Sequence, residues 1–365
     1  MARMQVSYRI AAPAPTVEAR AAALALEQSV ECPLAAVREA RVRREVVGEV
    51  VSIVPDGPEA HRVDIALALE TVGDDAGQLL NMLFGNASLQ PDVRLLDVRW
   101  PDGLPALPGP RFGVAGVRAR LGRAHGPISC SALKPQGSSV GELARLAYLQ
   151  AAAGIDLIKD DHGLADPPSA PFEARVPAIQ AAVARANRDT GGRCVYAPNL
   201  SGGGRKLARQ AALCREAGVG AVMLCPLVVG ASNMAELVED GLDVPVLAHP
   251  ALAGVGRIAP ALLFGGLFRL FGADMVIFPN QGGRFSYDAA TCRAIAAACA
   301  APLGPHAPVL PVPAGGMTAA RVGEMADFYG PDVVVLVGGA LLAADDPAQA
   351  MADFVRAVRC AGEMR

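Results

Sequence analysis

The chain has 365 residues, 52% of them hydrophobic and only 4% aromatic, and a formal net charge of −3 at pH 7. That length suits two domains better than one, and a near-neutral charge with no Lys/Arg cluster among aromatics excludes a nucleic-acid-binding face. The longest apolar stretches are broken by Gly, Pro or charge, which predicts no membrane span; the opening Met1-Ala2-Arg3-Met4-Gln5-Val6 has no long apolar run behind its Arg, which predicts no signal peptide.

Residues 5–10 alternate as a strand, and the Ala-rich stretch 16–28 reads as a helix. Stretches 45–54 and 61–69 read as paired strands across the turn Pro55-Asp56-Gly57-Pro58. A short helix over 76–84 and a strand over 93–100 complete the order β-α-β-β-α-β, which predicts a ferredoxin-like α+β domain over 1–108. Four prolines within residues 101–110 mark a linker.

From 109 to 365 the rhythm changes. Apolar runs at 128–134, 155–161, 194–200, 221–228, 244–250, 275–279, 309–315 and 333–340 alternate with Ala/Leu-rich helical stretches. Fully apolar strands between helices mean a parallel sheet covered on both faces. Eight of them predict closure into a (β/α)₈ TIM barrel, and no GxGxxG follows the first strand to favour a doubly wound sheet. The eight cysteines, Cys32, Cys130, Cys194, Cys214, Cys225, Cys292, Cys299 and Cys360, include no CxxC pair, so no structural zinc is expected. Several sit inside these runs as small hydrophobes, consistent with a reduced, cytoplasmic setting.

Barrel enzymes carry their chemistry where the strands end. The densest cluster is Lys159-Asp160-Asp161-His162, at the end of the second run. Alternation points Lys159 and Asp161 into the mouth and Asp160 away from it. Asp161 and His162 could hold a divalent cation if Lys159 were neutral or carbamylated; a Lys159–Asp161 ion pair with His162 at the surface is the plain alternative. Lys134, ending the first run, is the natural base, because a half-buried lysine beside a cation loses its proton more readily; a lysine reaching out over the rim is the alternative. Gly315 and Gly316 end the seventh run and Gly338 and Gly339 the eighth. There glycine lets a phosphate approach backbone N–H groups, although it also serves ordinary turns. His249 and Asn280 end the fifth and sixth runs.

These residues resemble the large subunit of RuBisCO. Gly154 to His162 matches that family's GxDFxKxDE, with Leu157 for Phe and His162 for the final Glu, a metal ligand. Leu133-Lys134-Pro135-Gln136 resembles the segment KPK, whose first Lys is the enolising base, with Gln136 for the second Lys. Gly85-Asn86 and Glu27 resemble N-domain residues that reach a partner subunit's site, although the Thr-Trp that follows that Glu in the family is missing. His249-Pro250-Ala251 stands where RuBisCO has His-Arg-Ala, and nothing after Phe278-Pro279-Asn280 matches GKLEGE. The grip on a distal phosphate and the lysine that polarises CO₂ are therefore missing, as in the RuBisCO-like proteins called form IV.

The resemblance implies Mg²⁺-assisted proton abstraction next to the carbonyl of a sugar phosphate, without CO₂ fixation. Mg²⁺ would be held by carbamylated Lys159, Asp161 and His162, with His162 alternatively an acid–base. Lys134 and His249 would move protons. Gly315, Gly316, Gly338 and Gly339 would hold the phosphate, and Asn280 and Arg284 would contact substrate. Asn86 and Glu27 would complete the site across a homodimer that needs no small subunit. Isomerisation of 5-methylthioribulose 1-phosphate is the expected reaction. The alternatives are decarboxylation or carboxyl transfer on a 3-oxo sugar acid phosphate such as 3-oxo-isoapionate 4-phosphate, 2,3-diketo-5-methylthiopentyl-1-phosphate enolisation, and a non-enzymatic metabolite sensor.

Overall fold

A computed structural model describes residues 2–101, 103–285 and 287–363. Met1 of the opening segment and Asp102 of the expected linker lie outside the described residues. The chain divides into two compact units, one of residues 1–107 with 252–263, the other of 108–251 with 264–365. Residues 252–263, read from the sequence as part of the second domain, thus group with the first.

The first unit is built on β1 (Arg3–Ile10), β2 (Glu49–Pro55), β3 (His61–Ala68) and β4 (Val93–Arg99), antiparallel in the order β2-β3-β1-β4. With helices Ala14–Glu27 and Ala76–Phe84 between them, this is the ferredoxin-like arrangement. The second strand starts later than expected because Ala40–Glu45 forms a short helix. Met4, Val6, Tyr8 and Ile10 of β1 are fully buried, so one face of the sheet packs under the helices. Residues 252–263 add to the β4 edge: Leu95 N–H donates to the Arg257 carbonyl at 2.9 Å, and Ala259 N–H donates to the Leu95 carbonyl at 2.8 Å.

The second unit holds β5 (Ile128–Leu133), β6 (Leu157–Asp160), β7 (Val195–Ala197), β8 (Val222–Leu224), β9 (Val246–Ala248), β10 (Met275–Pro279), β11 (Leu310–Ala314) and β12 (Val334–Leu336). All pairings are parallel, and β12 pairs with β5. A bridge between Asn199 and Met223 joins the β7 side to the β8 side, and β11 lies beside β12, so the strands run around a TIM barrel. Every residue of β5 is buried, as expected for a strand enclosed on both faces. Cys130, Leu157, Met223, Leu247, Ile277, Val312 and Val334 fill the interior.

Local chemistry explains where the helices begin and end. Ser139 caps the helix Val140–Ala152 by accepting from Glu142 N–H at 3.3 Å, and Asp288 caps Ala289–Ala300 by accepting from Thr291 N–H at 2.6 Å. Gly191 and Gly218 end Phe172–Thr190 and Gly204–Ala217 in left-handed conformation. At the N-terminal end of the barrel, Asp156 accepts from Ser129 N–H and Oγ, both at 2.8 Å, and from Arg359 at 2.7 Å, tying the last helix to the strands.

Candidate active site

The parallel register of β5 and β6 sets Leu133 against Asp160, so the next residues, Lys134 and Asp161, meet at the strand ends. There the Lys134 ammonium pairs with an Asp161 carboxylate that is only 4% exposed. The ion pair allowed for from the sequence, Lys159–Asp161, is not the one formed. Lys159 instead donates to the Asp160 carbonyl at 3.0 Å from inside the barrel, 4% exposed. Burial there pulls the Lys159 amine from 10.5 down to about 8, and the nearby Lys134 ammonium adds to the effect. Partial burial, then the charge of Arg284, also lowers the Lys134 pKa. Arg284 is exposed, its guanidinium over the Phe285 ring, and its charge is felt at Lys134.

His162 leaves the strand half-exposed, with Nδ1 3.1 Å from Asp161 Oδ1. Its ring stacks on His249, with centroids 4.3 Å apart and planes 10° from parallel. This pairing was missed in the sequence, where the two histidines stand 87 positions apart. Burial first, then Lys159 and Lys134, lowers the His162 pKa; burial, then Lys159, His162 and Lys134, takes His249 down to about 2. Two stacked imidazoles beside two lysines are therefore favoured neutral. Ala251 N–H donates to His249 Nδ1 at 3.2 Å, which assigns the His249 proton to Nε2.

Asp160 points out of the barrel into the helix layer, completely buried, as alternation predicts. Tyr196 Oη donates to it at 2.8 Å, Asn199 N–H at 3.0 Å and Arg175 at 3.2 Å. Asn199 Nδ2 donates to the His162 carbonyl at 2.8 Å. Arg175 and Tyr196 drew no attention in the sequence, because nothing in their spacing ties them to the strand end.

One of the two glycine turns adjoins this cluster. A Cβ on Gly338 would stand 4.0 Å from Lys134 Cε, so the end of the last strand adjoins the first. Gly339 opens the short helix Gly339–Leu342. Gly315 and Gly316 adopt φ of +99° and +79°, which few other residues tolerate. Gly315 accepts from Arg284 N–H at 2.9 Å, so the loop after β10 lies against the turn after β11. Asn280, expected at the substrate, is instead 1% exposed. Its Nδ2 donates to Met317 Sδ at 3.3 Å and its Oδ1 accepts from Tyr329, so its amide links the end of β10 to the segment after β11. Asn86 and Glu27 belong to the first unit, where Asn86 Nδ2 donates to Glu27 and to Glu31, each at 2.9 Å. Glu31 was not singled out; its four-residue spacing from Glu27 is the signal that could have found it.

Among the described residues, no three His, Cys, Asp or Glu side chains converge on a ready metal cluster. Asp161 and His162 are two adjacent donors, and the third group beside them is the Lys159 amine. No described helix is long and apolar enough to cross a membrane.

Known proteins resemble the chain over nearly all its length. The family model "Ribulose bisphosphate carboxylase large chain, catalytic domain" matches residues 113–363. Ribulose bisphosphate carboxylase-like protein 1 of Rhodopseudomonas palustris is 50% identical over 345 residues, 94% of each chain. A 5-methylthioribulose-1-phosphate isomerase of Rhodospirillum rubrum is 50% identical over 346 residues, covering 94% of this chain and 92% of that one. The crystal structure of a Rubisco-like protein from Rhodopseudomonas palustris superposes with a TM-score of 0.90 at 44% identity over 98% of both chains. With the barrel, its small N-terminal sheet and the lysine-bearing strand ends in place, the chain belongs to the ribulose bisphosphate carboxylase large-chain family, as a RuBisCO-like protein.

Proposed function

We propose that the chain isomerises 5-methylthioribulose 1-phosphate by moving a proton next to its carbonyl, and that it does not fix CO₂. The observation that carries this reading is the meeting of Lys134, Asp161, His162 and His249 at one end of the barrel, with Gly338 alongside. The isomerase name of a relative at 50% identity supports the choice of substrate. A substrate with one phosphate and an apolar far end also suits a chain with Pro250 where the family grips a second phosphate.

Mg²⁺ fits the donor set in one form of the site. Asp161 and His162 would be joined by a carbamate on Lys159, whose lowered pKa enlarges the fraction of neutral amine able to add CO₂. The nitrogen donor makes this a weaker Mg²⁺ site than an all-oxygen one. When bound, Mg²⁺ supplies Lewis-acid stabilisation of charge developing on a substrate oxygen.

The chain's own residues do the rest. Lys134 takes the proton and returns it. His249, with its proton on Nε2, donates to a substrate hydroxyl and holds its orientation. Backbone N–H groups of Gly315, Gly316, Gly338 and Gly339 receive the phosphate. Asn86 and Glu27 of a second subunit complete the pocket in a cytoplasmic homodimer. Arg284, felt electrostatically at Lys134, supports a second reading in which a leaving carboxylate of a 3-oxo sugar acid phosphate lies there.

Incubation with 5-methylthioribulose 1-phosphate in D₂O, followed by NMR, tests the choice. Deuterium at a carbon beside the carbonyl together with an isomeric product is expected. CO₂ release from the 3-oxo acid phosphate, with no exchange on the thio-sugar, would favour the second reading. Light scattering during gel filtration checks the dimer.

A further inference from the structure

Behind the mouth, on the outer face of β6, lies a buried ion pair that the proposed chemistry does not use. The Asp160 carboxylate and the Arg175 guanidinium are both 0% exposed. Arg175 lies near the start of the helix Phe172–Thr190 and reaches back to the loop that leads into it. Its Nη1 donates to the Ala170 carbonyl at 2.6 Å. Its Nη2 faces Asp160 at 3.2 Å and the carbonyls of Leu164 and Ala165 at 3.1 and 3.0 Å. Three of these four acceptors are backbone carbonyls of one loop, and the fourth is the side chain of the residue at its root.

That loop begins with Asp161 and His162. Leu164 and Ala170, whose carbonyls the guanidinium takes, are themselves 1% and 0% exposed. The root is held a second time by Asn199, which donates its backbone N–H to Asp160 and its side-chain amide to the His162 carbonyl. Asp166 holds the loop's far side, accepting from Phe172 N–H at 2.7 Å and from Lys206 at 2.8 Å. Asp160 and Asp161 are neighbours on one backbone, so a rotation that freed Asp160 would swing Asp161 away from Lys134.

We infer that Arg175 is a positioning residue: from behind the barrel wall it locks the 161–171 loop against Asp160 and so sets the placement of Asp161 and His162. It touches no substrate. A guanidinium suits this task because its planar fork reaches several acceptors at once, and it stays charged when buried. Displacing reacting groups by about 1 Å can cost on the order of 100-fold in rate, so a remote clamp of this kind has leverage. The part of the inference that concerns divalent-ion affinity rests on the proposed function; the clamp itself does not.

The test is Arg175→Lys, which keeps the charge beside Asp160 but shortens the reach to Ala170. Its control is Arg359→Lys, which alters the ion pair of Asp156 at the other end of the same strand. Both are compared with the parent by hydrogen–deuterium exchange of the peptide covering 161–171, by Mn²⁺ titration, and by separate kcat and KM. In Arg175→Lys, exchange in 161–171 should speed up at least tenfold, the Mn²⁺ Kd should rise about tenfold, and kcat should fall more than KM rises. Arg359→Lys should leave all three within twofold even if its melting temperature drops as far. Parent-like exchange in Arg175→Lys, or equal changes in both variants, would overturn the inference. If the parent binds no Mn²⁺, the metal reading fails on its own account, and exchange in the loop alone decides for or against the clamp.

Discussion

Lys159→Met should make the protein more stable while removing its activity. Lys159 is 4% exposed, and burial takes its amine from 10.5 down to about 8. The charged form is therefore disfavoured in the folded chain by about 3 kcal/mol at pH 7, nearly the full gap converted at 1.36 kcal/mol per pKa unit. Methionine keeps most of the side-chain volume and carries no charge, so that cost disappears. The pH dependence has a definite sign. Between about pH 8 and 10.5 the unfolded chain holds a proton on Lys159 that the folded chain has released, so the parent gains stability as pH rises through that window. The advantage of the variant should then shrink to roughly half by pH 9.5. Urea unfolding followed by circular dichroism, in CO₂-free buffer without divalent ions, at pH 7 and 9.5, measures both numbers. A variant no more stable than the parent at pH 7, or one whose margin is unchanged at pH 9.5, would show that Lys159 is not a desolvated ammonium and would remove the physical basis for its modification.

Lys134→Gln should lower turnover by about 10² to 10⁴, while calorimetry still detects binding of the sugar phosphate; full turnover would assign proton transfer elsewhere. In Gly283→Ala the new methyl would land inside van der Waals contact of the Gly315 carbonyl and would force apart the Arg284–Gly315 hydrogen bond. A loss of about 2–4 kcal/mol by urea unfolding is expected, with a raised KM; unchanged stability would mean that the two loops are not held as described. Asp156→Ala leaves Arg359 without its carboxylate and the Ser129 N–H without its acceptor at the far end of the barrel. It should cost about 3–5 kcal/mol yet leave kcat of the folded enzyme unchanged, and a selective loss of kcat would contradict the separation of the two ends of β6.

Much of the architecture is written along the chain. A strand enclosed on both faces is apolar over most of its length, so β5 to β12 appear as short apolar runs, and strands with one covered face alternate, as β1 does. The caps at Ser139 and Asp288 are local and equally legible. Strand ends locate the chemistry of a barrel, so Lys134, Lys159, Asp161, His162 and His249 stand out in the sequence itself. What each touches was not legible. Pairing of Asp161 with Lys134 rather than Lys159 follows from the β5–β6 register, which no residue announces by itself. The stacking of His162 on His249 needs strands three places apart around the barrel. Asn280 shows what a strand-end rule leaves open: its position suited a substrate contact, and in the fold its amide bonds Met317 and Tyr329. The sequence alone determined which residues stand at the ends of strands, because burial and periodicity are properties of the chain. Only the tertiary structure decided which charges meet, which amine loses its water and which arginine holds the loop, because ion pairs and desolvation depend on neighbours that are distant in sequence.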